Sequence, residues 1–305
     1  MSPPRLPLVW DMETGDPDDF LTLLLLLDHP RVALKAVTIT PGRPDQVGLV
    51  RRALDWFDRR DVVVGASDLD TSKTAVSAWH YAAYGAVPPS RDAEPADQVL
   101  LRFAGDDITL LTGAPPGNLG AALALAGRHG GSLPLGRWVA QGGFAGEGVV
   151  PPDRQLAKFR GRTTCPTFNF NGAPRAVEVA LATPSIRVRR LVSKNVCHGV
   201  IYDHAMHARF TAARDRRRSI ELVHRGMDTY LAKRPRGKAF HDPLAAACAI
   251  DESVGEWAEV EMYRAHGEWG ARPAPGSATS IITGYDHERF VATLLSEPQP
   301  STDPT

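Results

Sequence analysis

Leu6-Pro7-Leu8-Val9-Trp10-Asp11-Met12-Glu13-Thr14-Gly15-Asp16-Pro17-Asp18-Asp19, continued by the apolar run Leu21 to Leu27, is the stretch on which the fold turns. Leu6 to Trp10 has the composition of a short buried strand. Asp18 to Leu27 reads as a helix with Pro17 just before it, a position where proline's fixed φ and missing N–H cost nothing. An acidic loop joins the two. Asp18, Asp19 and Asp28 bracket the leucine run far inside the roughly twenty residues that cross a bilayer, so it is a buried helix rather than a membrane span.

The same alternation continues outward. Val32 to Thr40 is a second strand, Pro44 to Phe57 a helix, Val62 to Gly65 a third strand, Ile108 to Thr112 a fourth and Asn118 to Gly127 a further helix. Arg137 to Gln141 and Arg187 to Ser193 extend the series. Strands alternating with helices predict an α/β fold with a mostly parallel central sheet flanked by helices. At 305 residues such a fold is expected as a single domain over residues 1–296. Residues 297–305, Glu-Pro-Gln-Pro-Ser-Thr-Asp-Pro-Thr, have the composition of a disordered tail.

Apolar residues form 43% of the chain and charged residues 23%, as in a soluble protein with a large core. Thirty-five basic and thirty-five acidic residues cancel, which gives no global attraction to a nucleic-acid polymer or an anionic membrane. A small ligand fits better. Cys165, Cys197 and Cys248 are odd in number and far apart, outside any disulfide or zinc spacing, so free thiols in a reducing cytoplasm are expected. Met1 to Arg5 carries no apolar signal core.

In open α/β sheets ligands sit beyond the carboxyl ends of the strands. There the chain places Asp11, Glu13, Asp16, Asp18 and Asp19, five carboxylates within nine residues. Their mutual repulsion calls for a cation, and hard oxygen donors without His or Cys favour calcium or magnesium over zinc. Helix capping accounts for one or two of the five.

The acidic signature resembles that of the nucleoside hydrolase family, an aspartate pair, a glycine and a second aspartate pair entering the first helix. Phe240-His241-Asp242-Pro243-Leu244 resembles the family's late histidine-aspartate-proline element. Leu111-Thr112-Gly113-Ala114-Pro115, Gln141-Gly142-Gly143-Phe144, Phe168-Asn169-Phe170 and Asn195-Val196-Cys197-His198 match in kind and order, so the resemblance spans about residues 6 to 290. It implies calcium-dependent hydrolysis of the N-glycosidic bond of a ribonucleoside. Glu13, Asp19, Asp242 and the Thr112 carbonyl would hold the ion, Glu13 would take a proton from water, and Asp11 would support the site from behind. Asp18 and Asn169 would bind the ribose, and His241 would assist the departing base. His80 sits in a Trp79-His80-Tyr81 cluster that is either an active-site flap or aromatic packing, and Tyr230 has the same two readings. His198 reads as structural. A homo-oligomer acting on a small nucleoside or nucleotide is implied as well.

Three positions depart from the family pattern. Glu13 stands where aspartate is usual, and Arg43, where an asparagine usually meets the ribose, either contacts an anionic or modified substrate or points to solvent. Thr167 replaces an acidic residue that binds the 5′-hydroxyl. With Lys158, Arg160 and Arg162 nearby, that loss raises a 5′-phosphorylated substrate as an alternative, since Arg and Lys are the usual partners of phosphate. A solvated basic lid is the other reading of that stretch. A catalytically impaired nucleoside-binding protein is a further alternative. A phosphatase-like hydrolase lacks a recognisable phosphate loop.

Overall fold

A computed structural model describes residues 4–297. Its strands, in chain order, are β1 Leu6–Met12, β2 Val32–Ile39, β3 Val63–Ala66, β4 Glu94–Pro95, β5 Gly105–Thr112, β6 Leu135–Gln141, β7 Thr164–Cys165, β8 Ile186–Val192, β9 Ile201–Tyr202, β10 Lys238–Ala239, β11 Gly255–Ala265, β12 Glu268–Pro273 and β13 Thr279–Tyr285. One 11-stranded sheet runs β4-β3-β2-β1-β5-β6-β8-β13-β11-β12-β7. Pairing is parallel from β4 through β13 and antiparallel among β13, β11, β12 and β7. The fold is the α/β class that the alternation predicts. Its antiparallel extension carries charged, half-exposed residues that give no continuous apolar run, and the alternation does not reveal it.

Side chains of β1 leave the sheet alternately. Leu8, Trp10 and Met12 enter one core while Val9 enters the core on the opposite face, which is why the strand reads as uniformly apolar. Helix Pro17–Asp28 buries all its leucines and packs against helices Arg218–Leu231 and His241–Ile250. That packing brings the second acidic pair to the late histidine-aspartate element.

Strand order reverses between β1 and β5: the chain builds outward to β4 on one side and to β8 on the other. Asp11 lies beside Thr112 across this junction, and the Gly113 N–H donates to the Asp11 carbonyl at 2.9 Å. A crevice opens at such a switch point. All three cysteines are free and buried. No helix of the described residues is long and apolar enough to cross a membrane. Of the expected tail, only Glu297 is described, and it pairs with Arg209 at 3.1 Å and Arg216 at 2.9 Å; the rest lies outside the described residues.

Leu24 is fully buried, whereas Phe168 is 71% exposed at the crevice rim. Leu24→Ala should therefore cost about 2–5 kcal/mol in urea denaturation, and Phe168→Ala almost nothing. Equal losses would contradict this account of the core.

Candidate active site

The crevice at the switch point is a cavity of about 620 Å³. Carboxylate oxygens of Asp18, Asp19 and Asp242 lie within 4.8 Å of one another there, all buried. Asp19 comes from the first turn of helix Pro17–Asp28 and accepts the Glu13 N–H at 3.0 Å. Asp242 comes from the first turn of helix His241–Ile250. Gly113 lets the loop after β5 close over it, because a Cβ there would stand 2.7 Å from Asp242 Oδ1 and 2.3 Å from Trp10.

The three carboxylates are not equivalent. Burial works to raise Asp18, but Lys238 and the Asp242 N–H outweigh it and hold it below the usual range. Lys238 Nζ donates to Asp18 Oδ1 at 3.1 Å, to Asp16 Oδ2 at 3.0 Å and to the Ala239 carbonyl at 2.7 Å. The backbone N–H groups of His241 and Asp242 donate to Asp18 Oδ2 at 3.1 and 3.4 Å. Among the described residues neither Asp19 nor Asp242 has an ammonium or guanidinium within ion-pair distance, and Asp19 accepts only the Glu13 N–H. Burial raises Asp19 well above its ordinary value, helped by Asp242, Glu13 and Asp18; burial and Asp18 do the same to Asp242. Asp242 Oδ1 is buried without any hydrogen bond. An all-oxygen, electrostatically uncompensated pair fits a hard divalent cation.

Glu13 lines the same cavity with its carboxylate over Gly15, beside the three aspartates rather than among them. Burial raises it to about 7; Lys73 opposes this, and Asp16 and Asp18 add to it. Thr112 is buried at the end of β5, its hydroxyl accepting from Trp138 Nε1 at 3.1 Å. Asp11 stands behind, Oδ1 accepting from Thr38 at 2.6 Å and Asn118 at 2.8 Å, and burial raises it to about 7. Asn169 lines the cavity and donates to the Gly113 carbonyl at 2.7 Å and to Gln141 Oε1 at 2.6 Å, tying its helix to the strand ends.

His241 and His198 stack at 4.7 Å and 20° and both line the cavity. Burial lowers His241, only partly opposed by Asp18, so its imidazole is neutral and its buried Nε2 is unpartnered. Cys197 also lies within 4.8 Å of both ring nitrogens. Stacked imidazoles project their in-plane lone pairs side by side, so this trio cannot converge on a zinc ion. Thr167 is buried in the cavity wall with its hydroxyl unpartnered.

Two candidate substrate contacts lie elsewhere. Arg43 is the N-cap of helix Pro44–Trp56, pairs with Asp45 at 3.1 Å and donates to the Ser72 carbonyl, away from the cavity wall. His80 is fully buried between Phe20 and Trp79 and bonded to Ser77, and burial lowers it to about 4. Tyr230 lines a smaller recess of about 360 Å³ that shares Gly15 and Asp16 with the cavity. Arg160 and Arg162 are exposed and do not line the cavity.

Lys238 is the residue that pattern reading missed. The pairing of β10 with β9 sets its register opposite Tyr202, and Gly237 turns the chain into it at φ +92°, where a Cβ would stand 2.5 Å from the Tyr202 carbonyl. Its position three residues before His241 was the only sequence signal.

A mostly parallel sheet with an acidic crevice at its switch point defines an α/β protein with a ligand site at the strand ends. Residues 8–292 match the model of the inosine-uridine preferring nucleoside hydrolase family, and the chain belongs to that family. It is an N-glycosyl hydrolase of the nucleoside hydrolase type. Similar solved structures include a purine-preferring ribonucleoside hydrolase from Gardnerella vaginalis, with TM-score 0.69, 18% identity and coverage of 95% of this chain and 97% of that one. A plant nucleoside hydrolase gives TM-score 0.69 at 16% identity over 97% and 100% of the two chains. An inosine-uridine preferring nucleoside hydrolase from Bacillus anthracis gives TM-score 0.66 at 16% identity over 95% and 98%. No curated protein sequence matches the chain.

Lys238→Met leaves Asp18 buried beside two other carboxylates. It should destabilise the chelator-treated protein by about 3–5 kcal/mol in chemical denaturation, as for removal of one partner from a buried ion pair. An unchanged midpoint would show that Lys238 carries none of this burden. The metal-free protein should also be more stable in acid. Asp11 and Glu13 rise from ordinary values of 3.8 and 4.5 to about 7 on folding, so the folded state holds more protons between those limits. Their contribution is fully present below pH 3.8 and is lost as pH rises through about 7. Melting temperatures in chelator should fall across that window; a rise would reverse the assignment.

Proposed function

We propose that the protein is a calcium-dependent hydrolase of the N-glycosidic bond of ribonucleosides, releasing free base and ribose. The observation that carries the reading is the buried Asp19–Asp242 pair, which among the described residues has no cationic side chain within ion-pair distance and holds an orphaned oxygen. Asp19, Asp242, the Thr112 carbonyl and Glu13 would hold the ion. Calcium supplies positive charge that acidifies water and orients diol oxygens.

The chain's own groups would do the remaining work. Glu13, kept basic by burial and by Asp16 and Asp18, accepts the proton of the attacking water. Asp18, held ionised by Lys238, retains a lone pair on Oδ1 for a ribose hydroxyl, and Asn169 holds the sugar from the wall joined to β5 and β6. Positive charge developing on the ribose faces these carboxylates, as in O-glycoside hydrolysis. His241, neutral and unpartnered at Nε2, would meet the departing base as a hydrogen-bond partner. Arg43 and His80 take no part in this arrangement. A cytoplasmic homo-oligomer belongs to this reading through resemblance alone.

A panel of ribosides assayed by reducing-sugar release tests it. Release should stop with chelator and return with calcium. Glu13→Gln should lower kcat by about 10²–10⁴, the range of general acid–base catalysis. Tight binding without release would instead identify a catalytically impaired nucleoside-binding protein.

A further inference from the structure

The cavity holds a second, oppositely charged group of side chains that the hydrolytic machinery does not use. Lys194 and Thr167 line it with His198. Lys194 Nζ donates to the Pro166 carbonyl at 2.8 Å, which fixes the ammonium beside Thr167. Lys158 Nζ lies 2.9 Å from His198 Nδ1. Both ammonium groups stand over the Phe159 ring, at 5.1 and 5.8 Å from its centroid.

Two like charges near one aromatic ring repel, and among the described residues neither lysine has a carboxylate within ion-pair distance. The chain has only six lysines, so finding Lys73, Lys158, Lys194 and Lys238 at or next to one cavity is a concentration of charge rather than an even surface distribution. Thr167 is 4% exposed, and its Oγ1 has no hydrogen-bond partner. Lys158 can only donate to His198 Nδ1, so the His198 proton belongs on Nε2 and the ring is a donor there. An ammonium, a hydroxyl that can donate and an imidazole N–H line one wall with no carboxylate paired to them, donors that complement a phosphate dianion.

We propose that this wall binds the phosphate of a phosphorylated riboside, and that the substrate class is the ribonucleoside 5′-monophosphate. The inference rests on the hydrolase reading for its position on the sugar. There the 2′- and 3′-hydroxyls face the carboxylates and the base departs, which leaves only the 5′-oxygen to carry a phosphate. Lys194 and Thr167 are the specificity residues, and Lys158 acts through His198. The exposed Arg160 and Arg162 are not part of the site. Water adds across the N-glycosidic bond, so the products are free base and ribose 5-phosphate, and the phosphate ester stays intact.

Calorimetric titration of the full chain with ribose 5-phosphate, methyl β-ribofuranoside and inorganic phosphate tests the site without turnover. Ribose 5-phosphate should bind about tenfold to a hundredfold more tightly than the methyl riboside, the range expected for charge-assisted hydrogen bonds. Lys194→Met should remove most of that advantage. Thr167→Glu, which places a carboxylate at the wall, should invert it. Equal or weaker affinity for ribose 5-phosphate overturns the proposal, as does inorganic phosphate binding just as tightly, which would mark a free-anion site. Initial rates on inosine and inosine 5′-monophosphate then separate the two readings. A phosphate preference in binding with no hydrolysis of either compound defeats the hydrolase reading and keeps the anion site. Hydrolysis of both with faster turnover of inosine, and no binding preference, does the reverse.

Discussion

Three carboxylates buried within 4.8 Å of one another are the constraint on which the rest of the structure depends. Two unit charges about 4 Å apart repel by about 4 kcal/mol at the effective dielectric of a protein pair, far above the few tenths to 1 kcal/mol that a helix N-terminus offers an anion. The fold relieves one of the three internally. Asp18 has Lys238 on one oxygen and two backbone N–H groups on the other. Asp19 and Asp242 are left to share a proton or a metal, and that imbalance supports the proposed ligand pair over a merely acidic loop.

Topology explains why the imbalance persists. Asp19 and Asp242 belong to helices that pack side by side, and both helices begin at the crevice where the strand order reverses. Moving either carboxylate to solvent would pull the leucine face of helix Pro17–Asp28 away from its neighbours. Burying that face stabilises the fold by several kcal/mol, since each fully buried leucine contributes about 1.5–3 kcal/mol. Packing therefore holds the charges in place, and Gly113 and Trp10 close the cage from the β5 side.

Much of this was legible in the sequence, because local pattern decides strand, loop and helix start together. The run from Leu6 to Leu27 carries two apolar segments with an acidic loop and a proline between them, and the structure follows it to within two residues at every boundary. Side-chain destination is another matter. Arg43 looked available for substrate, but an N-cap position beside Asp45 absorbs it. His80 looked like a flap residue, yet its neighbours Phe20 and Trp79 seal it in the core. Lys238 and Lys194 are isolated lysines with no motif of their own, and only tertiary pairing, β10 against β9 in one case and the Pro166 carbonyl in the other, aims them. Spacing cannot encode a partner that lies 220 residues away.

Lys238 also bears on how much charge the site can hold. On the proposed reading, Glu13, Asp18, Asp19 and Asp242 bring four negative charges, and Lys238 returns one. A single divalent ion then leaves one negative charge facing the sugar, enough to favour a developing oxocarbenium and too little to retain a second calcium against its hydration. Without the lysine the same carboxylates would match two divalent ions. A fixed ammonium on a strand does this without the entropy of recruiting a second ion, and at no cost to Asp18, which it keeps ionised. The Lys194 wall follows the same logic with the signs exchanged, since Lys158 and Lys194 leave positive charge uncompensated where a substrate anion can complete it.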